Sequence, residues 1–149
     1  MTSVTMGRAV QGFLPFEPPT VTHNDLEPYT YTRGKKTYAG IRKSDRLKTA
    51  ENMMRPYIKR LADASICCPI KGPVVETLKI CWATDGKHEQ GELRCDPPDL
   101  DNWMKTFNDL CEQCGIISND AHIVRYKDVY KVWADPAGVF VRFEEVEQR

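Results

Sequence analysis

The stretch Asp96 to Asp120 reads DPPDLDNWMKTFNDLCEQCGIISND and gathers the side chains with the most chemical reach in the chain. Asp99 and Asp101 stand just behind Pro97 and Pro98, Lys105 follows, and Asp120 comes after a glycine-containing return. Carboxylates are hard oxygen ligands, and three of them brought together can hold a divalent cation such as magnesium. A lysine beside them supplies a fixed positive charge for an anionic substrate. The competing reading is structural: acids at the start of a helix are stabilised by its free amides and dipole, by up to about 1 kcal/mol each.

Those residues need a helix and a returning strand to position them. Leu100, Trp103, Phe107, Leu110 and Cys114 recur on one helical face, with Asp101, Lys105, Asn108 and Glu112 on the other. Gly115 is a good helix stop. Asp99 and Asp101 then lie in the first turn with Lys105 one turn on, and Asn119 and Asp120 end a short loop before a strand over 123–133. Upstream, Ser44 is suited to cap a helix whose buried face is Leu47, Ala50, Met54, Tyr57, Ile58 and Leu61. Pro56 should kink or split that helix, because it removes an amide donor.

The remaining elements are strands. Residues 8–16 alternate well enough for a first strand. Over 74–83, Leu78, Ile80 and Trp82 share one face and Thr77 and Lys79 the other. Residues 85–94 read as an exposed loop, and strands over 123–133 and 139–146 flank the turn Asp135–Gly138 as an antiparallel hairpin. The order strand, loop, helix, strand, helix, strand, strand predicts a single α+β domain over 1–149, with a mixed or antiparallel sheet covered by two helices.

Lys plus Arg and Asp plus Glu are balanced at 21 each, so an anionic partner must be held by a local patch rather than a global field. The candidate is a long basic loop over 17–43, with a loose hairpin through Tyr29–Thr32, running into a helix start. Arg33, Lys35, Lys36, Arg42, Lys43, Arg46 and Lys48 face only Asp45 there, with Tyr31 and Tyr38 interleaved. Such a patch can follow a phosphate backbone while the tyrosines stack on bases or sugars; a solvated charged loop is the bland alternative. No apolar run approaches the roughly 20 residues of a membrane span, and no signal-peptide layout is seen, so a cytoplasmic location is expected. The 6 cysteines then read as reduced thiols. Cys111 and Cys114 form a CxxC inside the predicted helix, and Cys95 and His122 complete a possible zinc set, but paired CxxC units are absent.

The segment PDLDN, followed by WMK, FNDL, Gly115 and NDAHIV, resembles the signature of the RusA family of Holliday junction resolvases. The likeness is dense over 98–126 and looser upstream, through PFEPP and GKKTY. It implies a homodimer that nicks opposing strands of a four-way DNA junction, with Asp99, Asp101 and Asp120 binding magnesium, manganese being a possible substitute. It also implies that Lys105 serves catalysis or holds the scissile phosphate. Lys35, Lys36, Arg42, Lys43, Arg46 and Arg94 are the expected DNA contacts, with no small-molecule cofactor and no membrane. Two departures stand out: Arg94 to Pro98 replaces a more basic lead-in, and Asn119 replaces the first acid of the later pair. Asp96, Asp109 and the CxxC read as bystanders. The alternatives are a nuclease preferring flaps or replication intermediates, a non-catalytic DNA-binding module, and the zinc protein.

Overall fold

The computed structural model describes residues 5–147, with side chains from residue 8 onward, so the ends of the expected 1–149 domain lie outside the described residues. Strand β4 (Val74–Trp82) is the most deeply buried strand, and it takes the centre of a five-stranded sheet. Its neighbours are β7 (Gly138–Glu147), antiparallel, and β6 (Ile123–Trp133), parallel. Strand β1 (Thr5–Leu14) closes one edge beside β7, and the two-residue β5 (Glu92–Leu93), within the predicted 85–94 loop, covers only the far end of β6. The expected α+β class with a mixed sheet and two helices is what the chain adopts.

The last two strands have the expected extents but do not form a hairpin with each other. They straddle β4. Two strand spacings amount to about 10 Å, which residues 134–137 can bridge at about 3.3 Å per residue. β4 alternates buried with half-buried residues and ends fully buried, whereas β6 has a single buried residue, so burial is greatest with β4 inserted between the two. Parallel pairing of β4 with β6 needs a crossover, and α2 (Leu100–Gln113) supplies it.

The core lies between the sheet and the helices. Trp103, Phe107 and Leu110 of α2 and Met54 and Ile58 of α1 (Asp45–Asp63) meet Leu78, Ile80, Val139, Val141 and Phe143 from the sheet. Each such side chain contributes about 1.5–3 kcal/mol by leaving water. Trp103 stacks on Phe107 with ring centroids 5.1 Å apart and donates its indole N–H to the Pro19 carbonyl at 3.0 Å. Ser44 caps α1 as expected, accepting from the Leu47 amide at 3.1 Å. Pro56 does not split α1, which runs unbroken through it. The carbonyl left without its helical donor belongs to Asn52, which is exposed, so water can satisfy it. No described helix is long and apolar enough to cross a membrane.

The loose hairpin expected within the loop over 17–43 is more extensive and more regular than expected. The second half of that segment folds into a regular hairpin, β2 (Leu26–Arg33) and β3 (Lys36–Lys43), forming a sheet of its own. Gly34 at φ 65° begins the two-residue turn, where the left-handed region is required. Tyr29, Tyr31 and Tyr38 stack along one face, at centroid spacings of 5.8 and 5.3 Å. Gly40 leaves room for the Tyr29 ring, since a Cβ there would come within 2.8 Å of it. Asp25 ties the base of this arm to α1: its backbone carbonyl accepts from the Ser44 amide, and its carboxylate accepts from the Ser44 hydroxyl and Arg46, all at 3.0 Å. Asp25→Ala should therefore speed hydrogen exchange of the β2 and β3 amides while leaving α2 protected; unchanged exchange in the arm would show that it is held elsewhere.

Candidate active site

Helix α2 and the start of β6 meet in an open cavity of about 230 Å³. Asp101, Met104, Lys105 and Asn108 come from the helix, and Asp120, Ile123 and Tyr126 from the returning chain. A shallower groove continues past Asp101, Met104 and Tyr126 along β6, beside Lys127 and Asp128. The helical spacing that stacks residues three and four apart puts Asp101, Lys105 and Asn108 along one wall.

The helix start is anchored from outside the motif. Lys131 on β6 donates to the carbonyls of Asp96 at 2.9 Å and Pro98 at 2.7 Å. Arg94 donates to the Pro97 carbonyl, and its guanidinium lies 4.3 and 4.5 Å from the ring centres of Trp82 and Trp133. His88 stacks on the Trp133 ring. Asp99 is the N-cap residue of α2, yet its exposed side chain makes no capping hydrogen bond. The hydrogen-bonding part of the structural alternative is therefore not used by Asp99, while the helix dipole still favours both Asp99 and Asp101.

Asp120 is held by its backbone. It opens a 3-10 turn, Asp120–His122, in which the Asn119 side chain accepts from the Ala121 amide at 2.9 Å. Glu112 accepts from the Asp120 amide at 3.0 Å. Asn119 thus acts as a cap at the position where an acid was expected. The Asp120 carboxylate lies 3.4 Å from Lys105 Nζ, which is also 3.2 Å from Asp109. Asp109 is no bystander: burial and its hydrogen bond with Asp120 raise its pKa, opposed by Lys105. The hydrogen bond and charge of Asp109, with the charge of Asp120, raise that of Lys105, so the ammonium stays protonated.

Behind the cavity lies Glu76 on β4, fully buried, with one oxygen accepting from the Asn108 side-chain amide at 3.0 Å. Asn108 was placed on the polar face of its helix by periodicity, but it too is buried. Burial pushes the Glu76 carboxyl up to about 7, against a small lowering by Asn108. Burial, with the charges of Glu76 and Asp120, likewise raises the Tyr126 phenol.

The predicted site residues divide accordingly. Asp101, Lys105 and Asp120 share the cavity, whereas Asp99 is not among its lining residues. Among the described residues no group of three His, Cys, Asp or Glu side chains is close enough to hold one ion. The two carboxylates that do line the cavity nevertheless fit a magnesium-type ion, which keeps several waters and usually takes one or two protein carboxylates. The zinc set does not assemble: Cys111 is buried, Cys95 is exposed, and burial raises the Cys111 thiol well above its ordinary range. Of the expected DNA contacts, Arg42 pairs with Glu27, Lys43 with Glu51 and Arg46 with Asp25, each at 2.9 Å, while Arg94 is committed to its indoles. Lys35 and Lys36 stand exposed at the arm's tip with no ion pair among the described residues.

Sequence reasoning passed over Glu76, Asp109, Glu112 and Lys131. Two had a readable signal: Asp109 is four residues from Lys105, and Glu76 falls in the alternating register of Val74, Leu78 and Ile80. Glu112 was placed on the polar face without a partner, and its bond to Asp120 needs the folded return.

Fold and pocket together define an α+β domain with an acid and lysine cluster at the seam between a crossover helix and the strand that it feeds. The chain belongs to the RusA family: the family model for endodeoxyribonuclease RusA matches residues 18–144 of the 149, a span containing every cavity residue named above. No curated protein matches the chain.

Glu76 makes a stability prediction. Its carboxyl moves from an ordinary 4.5 to about 7 on folding, so the folded chain holds a proton that the unfolded chain releases between those values. Stability from this group is full below the unfolded value and is lost as pH rises through about 7, by about 3 kcal/mol in all. Urea unfolding at several pH values should show that fall in the wild type and not in Glu76→Gln. Parallel curves would place the titration elsewhere.

Proposed function

We propose that this chain is a divalent-metal-dependent, structure-selective endodeoxyribonuclease that resolves four-way DNA junctions by paired symmetric nicks, acting as a homodimer. The observation that carries the reading is the convergence of Asp101, Lys105 and Asp120 on one open cavity within a RusA-family chain. Asp101 and Asp120 would hold magnesium or manganese, while Asp99 stands outside the cavity lining at the adjacent helix start. When bound, such an ion supplies an activated water and neutralises charge at the phosphorus.

The protein's own contribution is positioning and charge. Lys105 is protonated and half-exposed, so it can turn from Asp120 to a non-bridging oxygen of the scissile phosphate. Glu112 keeps the Asp120 backbone in place while that exchange occurs, and Lys131 fixes the helix start carrying Asp99 and Asp101. The groove beside Tyr126 and Lys127 offers a path for the strand leaving the cavity. Outside it, the arm presents Lys35 and Lys36 at its tip and three tyrosines on one face, a suitable grip on duplex or branch-point DNA. A two-fold dimer would place two cavities on a two-fold symmetric junction, so paired incisions follow from symmetry.

The test is cleavage of a labelled four-way junction with mapped cut sites. Magnesium-dependent paired nicks should appear and should vanish in Asp101→Asn and Asp120→Asn while junction binding persists. Binding without cleavage in magnesium or manganese would contradict the reading, and stronger cutting of flaps would redirect its substrate. Lys35→Ala with Lys36→Ala should lower the salt dependence of junction binding by about two phosphate contacts. An unchanged slope would remove the arm's tip from the DNA path.

A further inference from the structure

Glu76 and Asn108 present an unusual pair of vacancies in their hydrogen bonding. The Asn108 amide nitrogen donates to Glu76 Oε1 at 3.0 Å, while Glu76 Oε2 and Asn108 Oδ1 are both buried with no partner in the protein. Two acceptors left over on two side chains already joined by one bond lack a single hydrogen between them. A proton on Glu76 Oε2 provides it: the acid O–H donates to Asn108 Oδ1 as the amide N–H donates to Oε1. Such a closed ring would leave neither oxygen orphaned.

We propose that Glu76 and Asn108 form this closed acid–amide pair, and that the pair is a positioning element that fixes Asn108 in the cavity wall beside Lys105 and Asp120. The assignment rests on the cleavage function proposed above for that cavity. With one amide hydrogen committed to Glu76, the planar amide points the other away from the pair. That second N–H is then the available donor for a phosphate oxygen or a water in the cavity that Asn108 lines. Ionised Glu76 would set a carboxylate oxygen against Asn108 Oδ1 with no hydrogen between them, loosening the amide.

The surroundings suit a neutral acid. Asn108 and Cys111 approach Glu76 from α2 and Tyr126 from β6, while Phe143 is its register partner on β7; none is cationic. The elevated affinity for a proton described above has the same cause, burial without a counter-charge. Glu76 touches no substrate in this account. It acts through Asn108.

Three measurements test the pair. The Glu76 carboxyl carbon, followed by NMR in the intact chain, should show the neutral acid at about pH 5 and titrate near neutrality; a carboxylate signal already at that pH would overturn the proposal. In Glu76→Gln the new amide N–H replaces the acid O–H, so junction cleavage at about pH 6 should remain within about threefold of wild type and exceed it at about pH 9. A loss of tenfold or more at the lower pH, in a folded variant, would mean that a carboxylate is needed and would also overturn it. Glu76→Leu with Asn108→Leu removes both polar partners together and leaves none unsatisfied. It should fold and bind the junction, yet cleave with kcat lowered about tenfold or more. Wild-type cleavage by that double variant would deny the pair a positioning role. If the wild type cuts no junction, the proposed function fails, while the carbon titration still decides whether the pair exists.

Discussion

Everything at the candidate site depends on the packing of α2 against β4. Trp103, Phe107 and Leu110 are driven into the same core as Leu78 and Ile80, and this burial fixes both the height and the rotation of the helix. Once α2 is seated, its opposite wall must carry Asp101 and Lys105 outward, and its end must release the chain towards β6. The parallel register of β4 with β6 then brings Asp120 back beside Lys105. Acids distant along the chain become neighbours because a crossover connection leaves them no other place.

The electrostatics follow from that packing. Asp109 and Asp120 share one ammonium, which makes Lys105 the local counter-charge in the protein alone. The supporting bonds from Glu112, Lys131 and Arg94 all reach backbone atoms of the site segments, so they hold position without consuming the reactive oxygens. This division between outward carboxylates and inward anchors is what a preorganised site requires.

Much of this was legible before any coordinates. The period of Trp103, Phe107 and Leu110 disclosed α2, Ser44 disclosed the start of α1, and the alternation around Leu78 disclosed β4. The PDLDN resemblance named the family that the matching model supports over most of the chain. What escaped was set by contacts distant in sequence. Whether residues 135–138 close a hairpin depends on β4 competing for the space between β6 and β7, which no local pattern reports. The alternating Tyr–Thr pattern disclosed a hairpin in the arm, but its full length was concealed because the exposed, tyrosine-rich strands resemble a polar loop in composition. Arg42, Lys43 and Arg46 looked like free phosphate ligands until Glu27, Glu51 and Asp25 were brought to them by the fold.

The central claim is that Asp101, Lys105 and Asp120 surround the point at which a divalent ion and a phosphodiester meet. Paramagnetic broadening by manganese tests it in the free protein. The account predicts that added manganese first broadens the backbone amides around Asp101 to Lys105 and Asn119 to Ile123, and that Asp101→Asn abolishes the effect at the same metal concentration. Broadening centred on another acidic segment, such as Glu89 to Glu92, or an undiminished effect in the variant, would contradict it.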